Sequence, residues 1–198
     1  MTATIEDFAP WRSPLSRALH RNRAVPFCRY FQLATVSANG MPANRTVVFR
    51  GFFAKTNQLM IISDRRSEKT EQLQQNPNAE ACWYFTKTRE QFRLFGTIAV
   101  ITVSTAHLDL AKARTHTWQT ISDSARRQFA WPQPKADRAA SEAFSSAPPD
   151  TQAPPDTFTL LLLTPHSVDH LELRGDPQNR HLYTKDRDGL WQKTSVNP

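Results

Sequence analysis

Hydrophobic and polar positions repeat with two different periods along the first third of the chain. Residues 8–24 have apolar positions three to four residues apart, which predicts a helix with one buried face. That face comprises Phe8, Trp11, Leu15 and Leu19. From residue 29 the apolar positions alternate as in strands, and Asn, Gly and Pro residues separate the segments, so an antiparallel meander is predicted. Its strands are 29–37, 43–52 and 57–64.

The next part of the chain combines two predicted helices with two predicted strands. Residues 64–75 predict a short helix, with Asp64 or Ser67 as its N-cap and Pro77 after its end. Segments 79–86 and 90–103 predict strands. Residues 104–129 predict a longer helix that begins at Ser104 or Thr105 as its cap. The side chains expected to be buried on this helix are Leu108, Ala111, Trp118 and Ile121.

The last third begins with a connector and ends in strands. Residues 132–157 contain six of the 14 prolines, which is typical of a connector. Segments 158–164 and 167–173 predict strands, and residues 179–196 predict a hairpin that turns at Arg187–Gly189. Seven or eight strands without regular alternation of strand and helix predict a mainly β protein with flanking helices, built as a small antiparallel barrel. We expect one domain over 1–198, with the connector at about 132–157.

Composition narrows the classes of partner. The chain has 198 residues but only five glycines, and no two are close enough for a dinucleotide-binding fingerprint or a phosphate-binding loop. A net charge of +7 favours anionic partners. The basic residues are dispersed and no nucleic-acid-binding motif is present, so nucleic acid is an alternative that would require salt-sensitive binding. If the protein binds a phosphate, side chains must provide much of the contact.

Targeting and cysteine patterns predict a cytoplasmic protein without membrane contact. The N-terminal residues have no basic region followed by an apolar stretch, and the longest apolar run, 160–163, is too short to span a bilayer. Cys28 and Cys82 lie far apart and beside aromatic residues, which is typical of small buried side chains in a reducing compartment. His166 and His170 are four residues apart but lack the Glu of a zinc-binding HExxH motif, so no metal is expected.

Basic residues at the end of one strand and the start of the following helix predict an anion site. Arg45 and Arg50 lie in an otherwise apolar strand, which on its own is compatible with two solvent-facing side chains. The next strand ends at Ser63, and Arg65, Arg66 and Lys69 follow near the helix start. Cations are unfavourable at a helix N-terminus unless an anion binds between them. Gln91 is expected on the face of its strand opposite Phe92, where its amide could pair with a heterocycle or face solvent.

Several of these motifs occur in the order found in one known family. They are RTVVFR at 45–50, IS at 62–63, SEK at 67–69, NPNAE at 76–80, ACWYF at 81–85, Gln91 before Gly96, and NRHLY at 179–183. Together they resemble the pyridoxamine 5'-phosphate oxidase family of FMN-binding split barrels, over roughly residues 25–103 and 158–198. The sequence is most similar to an uncharacterised FMN-binding branch of it.

The resemblance implies a six- to eight-stranded split barrel, a homodimer with FMN at the subunit interface, and a set of site residues. Arg45, Ser63 and Lys69 would bind FMN chiefly at its phosphate, Gln91 and Arg180 would lie near the flavin ring, and Arg50 takes the place of a Lys that touches substrate. The full set of expected cofactor residues is Arg45, Thr46, Val47, Val48, Arg50, Ile62, Ser63, Arg66, Ser67, Lys69, Gln91 and Arg180. The expected substrate residues are Arg50, Arg126, Arg127, Trp131 and Gln178.

Departures from the family pattern leave the substrate open. Glu68 stands where the oxidases have an Arg, the region after the fifth strand lacks their Tyr, Arg and Ser series, and Leu171 replaces a Trp. The expected function is an FMN-dependent oxidoreductase acting on a small, unidentified molecule, with or without a phosphate group. Pyridoxine or pyridoxamine 5'-phosphate as substrate, and a flavin-binding module without turnover, are the alternatives.

Overall fold

Strands dominate the computed structural model, which describes residues 8–147 and 149–198. The strands are β1 (Tyr30–Val36), β2 (Pro42–Phe52), β3 (Leu59–Asp64), β4 (Asn78–Phe85), β5 (Glu90–Ile101), β6 (Phe158–Glu172), β7 (Asn179–Lys185) and β8 (Trp191–Val196). The helices within the described ranges are α1 (Arg12–Arg21), α2 (Glu68–Gln75), α3 (Leu108–Thr120) and α4 (Asp123–Arg127). Short 3₁₀ turns follow at Gln128–Ala130 and Ser141–Phe144.

Six of the strands close into an antiparallel barrel. Their order is β3-β2-β1-β4-β5-β6, and pairing of β3 with β6 completes the circle. β7 and β8 extend the sheet beyond β6 as a hairpin. Closure leaves no free edge between β3 and β6, which removes the exposed backbone groups of an open sheet. The prediction of a mainly β, six- to eight-stranded barrel with flanking helices is confirmed.

Aromatic side chains fill the barrel. Trp83 is fully buried and its ring centroid lies 5.0 Å from that of Phe31, 5.1 Å from Phe49 and 5.1 Å from Phe85. Contacts of this kind contribute about 0.5–1.5 kcal/mol per pair beyond the burial of apolar area. Side chains alternate between the two faces of β2 and β5. Val47, Phe49 and Phe92 are buried and point into the barrel, so Thr46, Val48 and Gln91 lie on the outer face.

β6 is one continuous strand where the sequence predicts two. Pro165 lies inside it, opposite Gly96, where the register of β5 and β6 shifts. A proline cannot donate a ladder hydrogen bond and is tolerated at such an irregularity. Gly96 is required there, because a Cβ atom would lie 2.0 Å from the Thr164 carbonyl oxygen. The four leucines 160–163 are all buried, since alternate ones face the barrel core and a second cluster that includes Leu110 and Ala113 of α3.

The single helix predicted over residues 104–129 is wrong in its bounds. His107, not Ser104 or Thr105, is the N-cap of α3, and the chain becomes extended at Ile121 before Ser122 accepts a hydrogen bond from the Ala125 amide and starts α4. Trp118 and Ile121 are buried as expected, whereas Leu108 is exposed because it lies at the first position of α3. Ser67 is the N-cap of α2, but its side chain makes no capping bond.

The proline-rich connector has little regular structure. Of its described residues, only Ser141–Phe144 form a 3₁₀ turn. Arg114 on α3 is buried and anchors the end of the connector by donating to the carbonyl oxygens of Pro155 and Phe158, at 2.7 and 3.0 Å. A helix long and apolar enough to span a bilayer is not found among the residues described.

Candidate functional site

A cavity of about 650 Å³ opens beside β2, at the junction of β2, β3, the start of α2 and the segment after α4. It takes in most of the residues that the sequence predicts for cofactor binding. Those among its lining are Arg45, Thr46, Val47, Val48, Arg50, Ile62, Ser63 and Lys69. The lining also includes Tyr30, Asp64, Trp131, Arg138 and Phe144. β2 forms one side of this cavity, because consecutive residues that alternate between its two faces, 45–48, all line it.

Arg45 is held in place by the neighbouring strand and helix. Its guanidinium donates to Thr35 Oγ1 at 2.6 Å and to Gln72 Oε1 at 3.0 Å, and Thr35 donates to the same Gln72 oxygen at 2.6 Å. Burial lowers the pKa of Arg45, and the charge of Glu68 opposes this shift. Because its bonds go to neutral groups, the positive charge of Arg45 is available to an anion.

Lys69 is a second cation on the same side of the cavity. Its Nζ donates to Ser63 Oγ at 3.1 Å and to Ser67 Oγ at 3.0 Å. Burial and then the positive charge of Arg45 lower the pKa of Lys69, against the opposing charges of Asp64 and Glu68. No ion pair within 4 Å joins Arg45 or Lys69 to a carboxylate in the described ranges. Two half-buried cations and the hydroxyl groups beside Lys69 therefore form a site suited to a phosphate.

Arg50 lines the cavity farther along β2. Its Nε atom is buried and has no hydrogen-bond partner among the described residues. Burial lowers the pKa of Arg50, and among nearby charges that of Tyr30 opposes this shift while that of Arg29 adds to it. A buried donor without a partner costs free energy, about 1–3 kcal/mol, unless a ligand or water accepts from it. Arg50 therefore offers a second anion-binding position in the same cavity.

The segment after α4 forms the opposite wall. Trp131 packs edge-to-face on Phe144 with ring centroids 5.7 Å apart, and the Arg138 guanidinium lies 4.3 Å from the Phe144 ring. Arg66 ties this wall to β3, since it forms a bidentate pair with Asp64 and donates to the Trp131 carbonyl at 3.0 Å. Arg66 and Ser67 thus border an adjoining depression rather than the main cavity.

Gln91 and Arg180 lie away from this cavity. Gln91 is on the outer face of β5, where Cys82 Sγ lies 3.9 Å from its Oε1 atom. β1 and β4 lie between β2 and β5, so Gln91 on β5 is roughly 14 Å along the sheet from the cavity residues of β2. Arg180 on β7 forms a bidentate pair with Asp169, at 2.7 and 3.0 Å. Gln178 precedes β7, is half-buried and also lies outside the cavity lining.

Arg126 and Arg127 have different surroundings. Arg126 is buried, pairs with Asp123 at 2.5 Å and donates to the Gln119 carbonyl at 2.9 Å. Arg127 is exposed. Neither lines the cavity, whereas Trp131 does.

Sequence reasoning missed four residues that shape this site. Thr35 and Gln72 position Arg45, and no motif marks them, because their role depends on the packing of α2 against β1. Arg138 and Phe144 lie in the connector, whose composition indicates only irregular structure. Their approach to the cavity depends on tertiary contacts.

Comparison with known proteins identifies the family. The family model described as "Pyridoxamine 5'-phosphate oxidase, FMN-binding domain" matches residues 8–102. A protein of Arabidopsis thaliana named pyridoxine/pyridoxamine 5'-phosphate oxidase 2 is 36% identical over 196 residues, covering 96% of this chain and 98% of its own length. This chain belongs to the family of pyridoxamine 5'-phosphate oxidase-like FMN-binding proteins.

Two solved structures are similar over almost the whole chain. The crystal structure of a pyridoxamine 5'-phosphate oxidase-related, FMN-binding protein from Nostoc punctiforme PCC 73102 is 54% identical, with a TM-score of 0.94 and coverage of 96% of this chain and 99% of that one. PhzG from Burkholderia lata 383, in complex with tetrahydrophenazine-1-carboxylic acid, has a TM-score of 0.78 at 18% identity, covering 96% and 93% of the two chains. The second similarity shows the fold alone.

Proposed function

We propose that the protein is an FMN-dependent oxidoreductase whose cavity beside β2 holds the cofactor. The observation that carries this proposal is the pair of half-buried cations, Arg45 and Lys69, placed beside Ser63 in the cavity lining and without a carboxylate partner in the described ranges. A phosphate offers charged acceptor oxygens to these donors and offsets the repulsion and partial desolvation of the two cations. Membership of an FMN-binding family supports FMN as the phosphorylated ligand.

The residues present fit the whole cofactor as well as its phosphate. The cavity of about 650 Å³ lies in the range of small-molecule sites, about 300–1,000 Å³. Val47, Val48 and Ile62 supply apolar surface for a flat ring, and the unpartnered Nε of Arg50 supplies a donor. When bound, FMN supplies hydride and electron transfer, so the protein's task is to bind and orient it and its substrate.

Arg50, Trp131 and Arg138 are proposed to bind the substrate at the open side of the cavity. Arg50 and Arg138 favour an anionic group, and Trp131 offers an aromatic surface. Their charge and shape suit a small phosphorylated or carboxylated ring compound.

We also propose that the protein is a homodimer. The family resemblance implies that Gln91 and Arg180 lie near the flavin and that the site takes residues from both subunits. In this chain they lie on the outer sheet face roughly 14 Å or more from its own cavity, so a second copy would have to supply them. Phe95 and Tyr84 on the same outer face are 44% and 45% exposed, which is typical of a surface covered by another subunit.

Pyridoxine or pyridoxamine 5'-phosphate is the candidate substrate that the full-length similarity to the Arabidopsis protein favours. The test loads purified protein with FMN and supplies either compound in the presence of oxygen. Oxidation of either compound to pyridoxal 5'-phosphate transfers two electrons to oxygen and yields one hydrogen peroxide, and the amine also consumes one water and releases one ammonia. Pyridoxal 5'-phosphate and hydrogen peroxide should therefore appear in equal amounts. FMN binding without either product would leave a flavoprotein with another substrate, and failure to take up FMN would reject the proposed function itself.

A further inference from the structure

A second polar cluster lies inside the barrel, where β5 begins and β6 ends. Glu90, His170 and Glu172 each place one potential ligand atom within 4.8 Å of the others. Glu90 and His170 are buried, with 8% and 2% of their surface exposed, and Glu172 is half-buried. None of the three lines the cavity beside β2, so the cluster is separate from the proposed cofactor site.

The strand register sets two carboxylates against each other. Glu90 and Glu172 are direct partners in the β5–β6 ladder, so their side chains share one face of the sheet. Like charges at directly opposed positions repel, and partial burial strengthens the repulsion. Burial raises the pKa of Glu90, but hydrogen bonds from His170 and Thr88 outweigh it, so the pKa is lowered. The charges of His170 and Arg17 add to the lowering, although Arg17 on α1 is exposed and forms no ion pair with Glu90 within 4 Å in the described ranges. A cation between the carboxylates would remove this repulsion.

Two contacts fix the position of the His170 ring beside Glu90. Its Nε2 lies 3.0 Å from Glu90 Oε2, and its ring stacks on Phe92 with centroids 4.0 Å apart. Its Nδ1 is buried and has no hydrogen-bond partner among the residues described. Two ligands about 2.0–2.1 Å from a tetrahedral Zn²⁺ ion are about 3.3 Å apart, close to the observed separation of the His170 and Glu90 atoms.

His181 on the next strand lies outside this cluster of three and would reach it by a turn of its side chain. It is the partner of His170 in the β6–β7 ladder, and the two ring centroids are 6.3 Å apart. Its Nδ1 lies 3.2 Å from Ser195 Oγ, so Nε2 is the nitrogen available to a metal. Burial and the charges of Lys193 and His170 lower the pKa of His181, against the opposing charge of Glu172.

We propose that Glu90, His170 and Glu172, with His181 as fourth ligand, bind one divalent transition-metal ion of the Zn²⁺ type. Two imidazoles and two carboxylates match the nitrogen and oxygen ligands that Zn²⁺ accepts. The four residues come from three adjacent strands, so the ion would link β5, β6 and β7 where the hairpin leaves the barrel. Its role would be structural, because the ion lies outside the cavity beside β2.

The test uses the full chain without an affinity tag, stripped with a chelator and then titrated with Zn²⁺ by calorimetry and with Co²⁺ by absorbance. We expect one ion per chain, a Co²⁺ spectrum typical of nitrogen and oxygen ligands in a four- or five-coordinate site, and a Zn²⁺-dependent rise in Tm. Glu172→Gln and His181→Asn should each weaken Zn²⁺ binding at least tenfold. Both residues are half-buried, so these changes leave the buried Glu90–His170 pair intact.

His166→Asn is the matched control. His166 is an exposed histidine on the same strand whose Nε2 lies 3.1 Å from Thr97 Oγ1, and its loss should leave Zn²⁺ binding and Tm unchanged. Absence of stoichiometric Zn²⁺ binding to the wild-type chain would overturn the proposal, and so would binding that survives both Glu172→Gln and His181→Asn. FMN affinity should be the same in all these variants, so failure of the metal site is distinguishable from failure of the cofactor site.

Discussion

Lys69 has the clearest individual role expected in ligand binding. It is held by the hydroxyl groups of Ser63 and Ser67, and no carboxylate within the described ranges forms an ion pair with it. Replacing it with Met should weaken FMN binding roughly 10- to 100-fold, since a charge-assisted hydrogen bond to a phosphate contributes about 1.5–3 kcal/mol. Fluorescence titration with FMN measures this. Lys112→Met, at an exposed position of α3, is the matched control and should bind FMN as the wild type does.

The lowered pKa of Lys69 also predicts a pH dependence. Burial and the charge of Arg45 lower the pKa of Lys69 in the free protein, whereas a bound phosphate raises it. At a pH where Lys69 is deprotonated in the free protein, FMN binding therefore requires the uptake of a proton. FMN affinity should be constant below the free-state pKa and fall by up to about tenfold per pH unit above it. Titrations from about pH 7 to about pH 9.5 measure this fall. Lys69→Arg keeps its charge, and an identical fall in that variant would assign the effect to another group.

Among the strands, the close pairing of β5 with β6 depends on Gly96. Gly96→Ala places a methyl group 2.0 Å from the Thr164 carbonyl oxygen, so β6 must move or the register must slip. We expect a loss of about 3 kcal/mol or more in the free energy of unfolding, measured by urea denaturation. Ala99→Ser, at an exposed position of the same strand, should change it by less than about 0.5 kcal/mol. Equal stability of the two variants would refute this role of Gly96.

The elements predicted best from sequence are those whose periodicity depends only on local burial. The alternation in 90–103 sets Phe92 on the face opposite Gln91, and Phe92 is indeed buried inside the barrel. The break between α3 and α4 was not predictable, because the apolar spacing continues across Ser122. The continuity of β6 through Pro165 was also missed, since a proline is tolerated there only by virtue of Gly96 on the partner strand.

Some residues of the candidate site were predictable from the sequence, and others depend on tertiary packing. Ser63 and Lys69 were predictable because basic residues stand near a strand end and a helix start, and Arg45 because of the family resemblance. These three residues do meet at one cavity. Thr35 and Gln72 were not predictable, because they come together only when α2 packs on β1. The wall containing Arg138 and Phe144 likewise depends on the path of an irregular segment.

At the scale of the whole molecule, the expected set of cofactor residues divides between a cavity and an outer face. A homodimer would unite the two parts, with Gln91 of one subunit at the cavity of the other. Phe95→Glu, which puts a charge on the exposed outer face of β5, should therefore convert the dimer to a monomer and weaken FMN binding.

Light scattering coupled to size exclusion measures the mass of each form. Leu108→Glu, at an exposed position of α3, should remain dimeric. A monomeric wild-type protein, or a Phe95→Glu variant that is still dimeric, would contradict this assembly.

Side chains rather than a glycine-rich loop are proposed to bind the cofactor phosphate of this basic, glycine-poor chain. Parallel equilibrium titrations with FMN and riboflavin test it most directly, because the two ligands differ only in the phosphate. Wild-type protein should bind FMN at least about 100-fold more tightly, a difference of about 2.7 kcal/mol, and Arg45→Met combined with Lys69→Met should remove most of that preference. Equal affinity of the wild type for FMN and riboflavin would show that these side chains do not bind the phosphate.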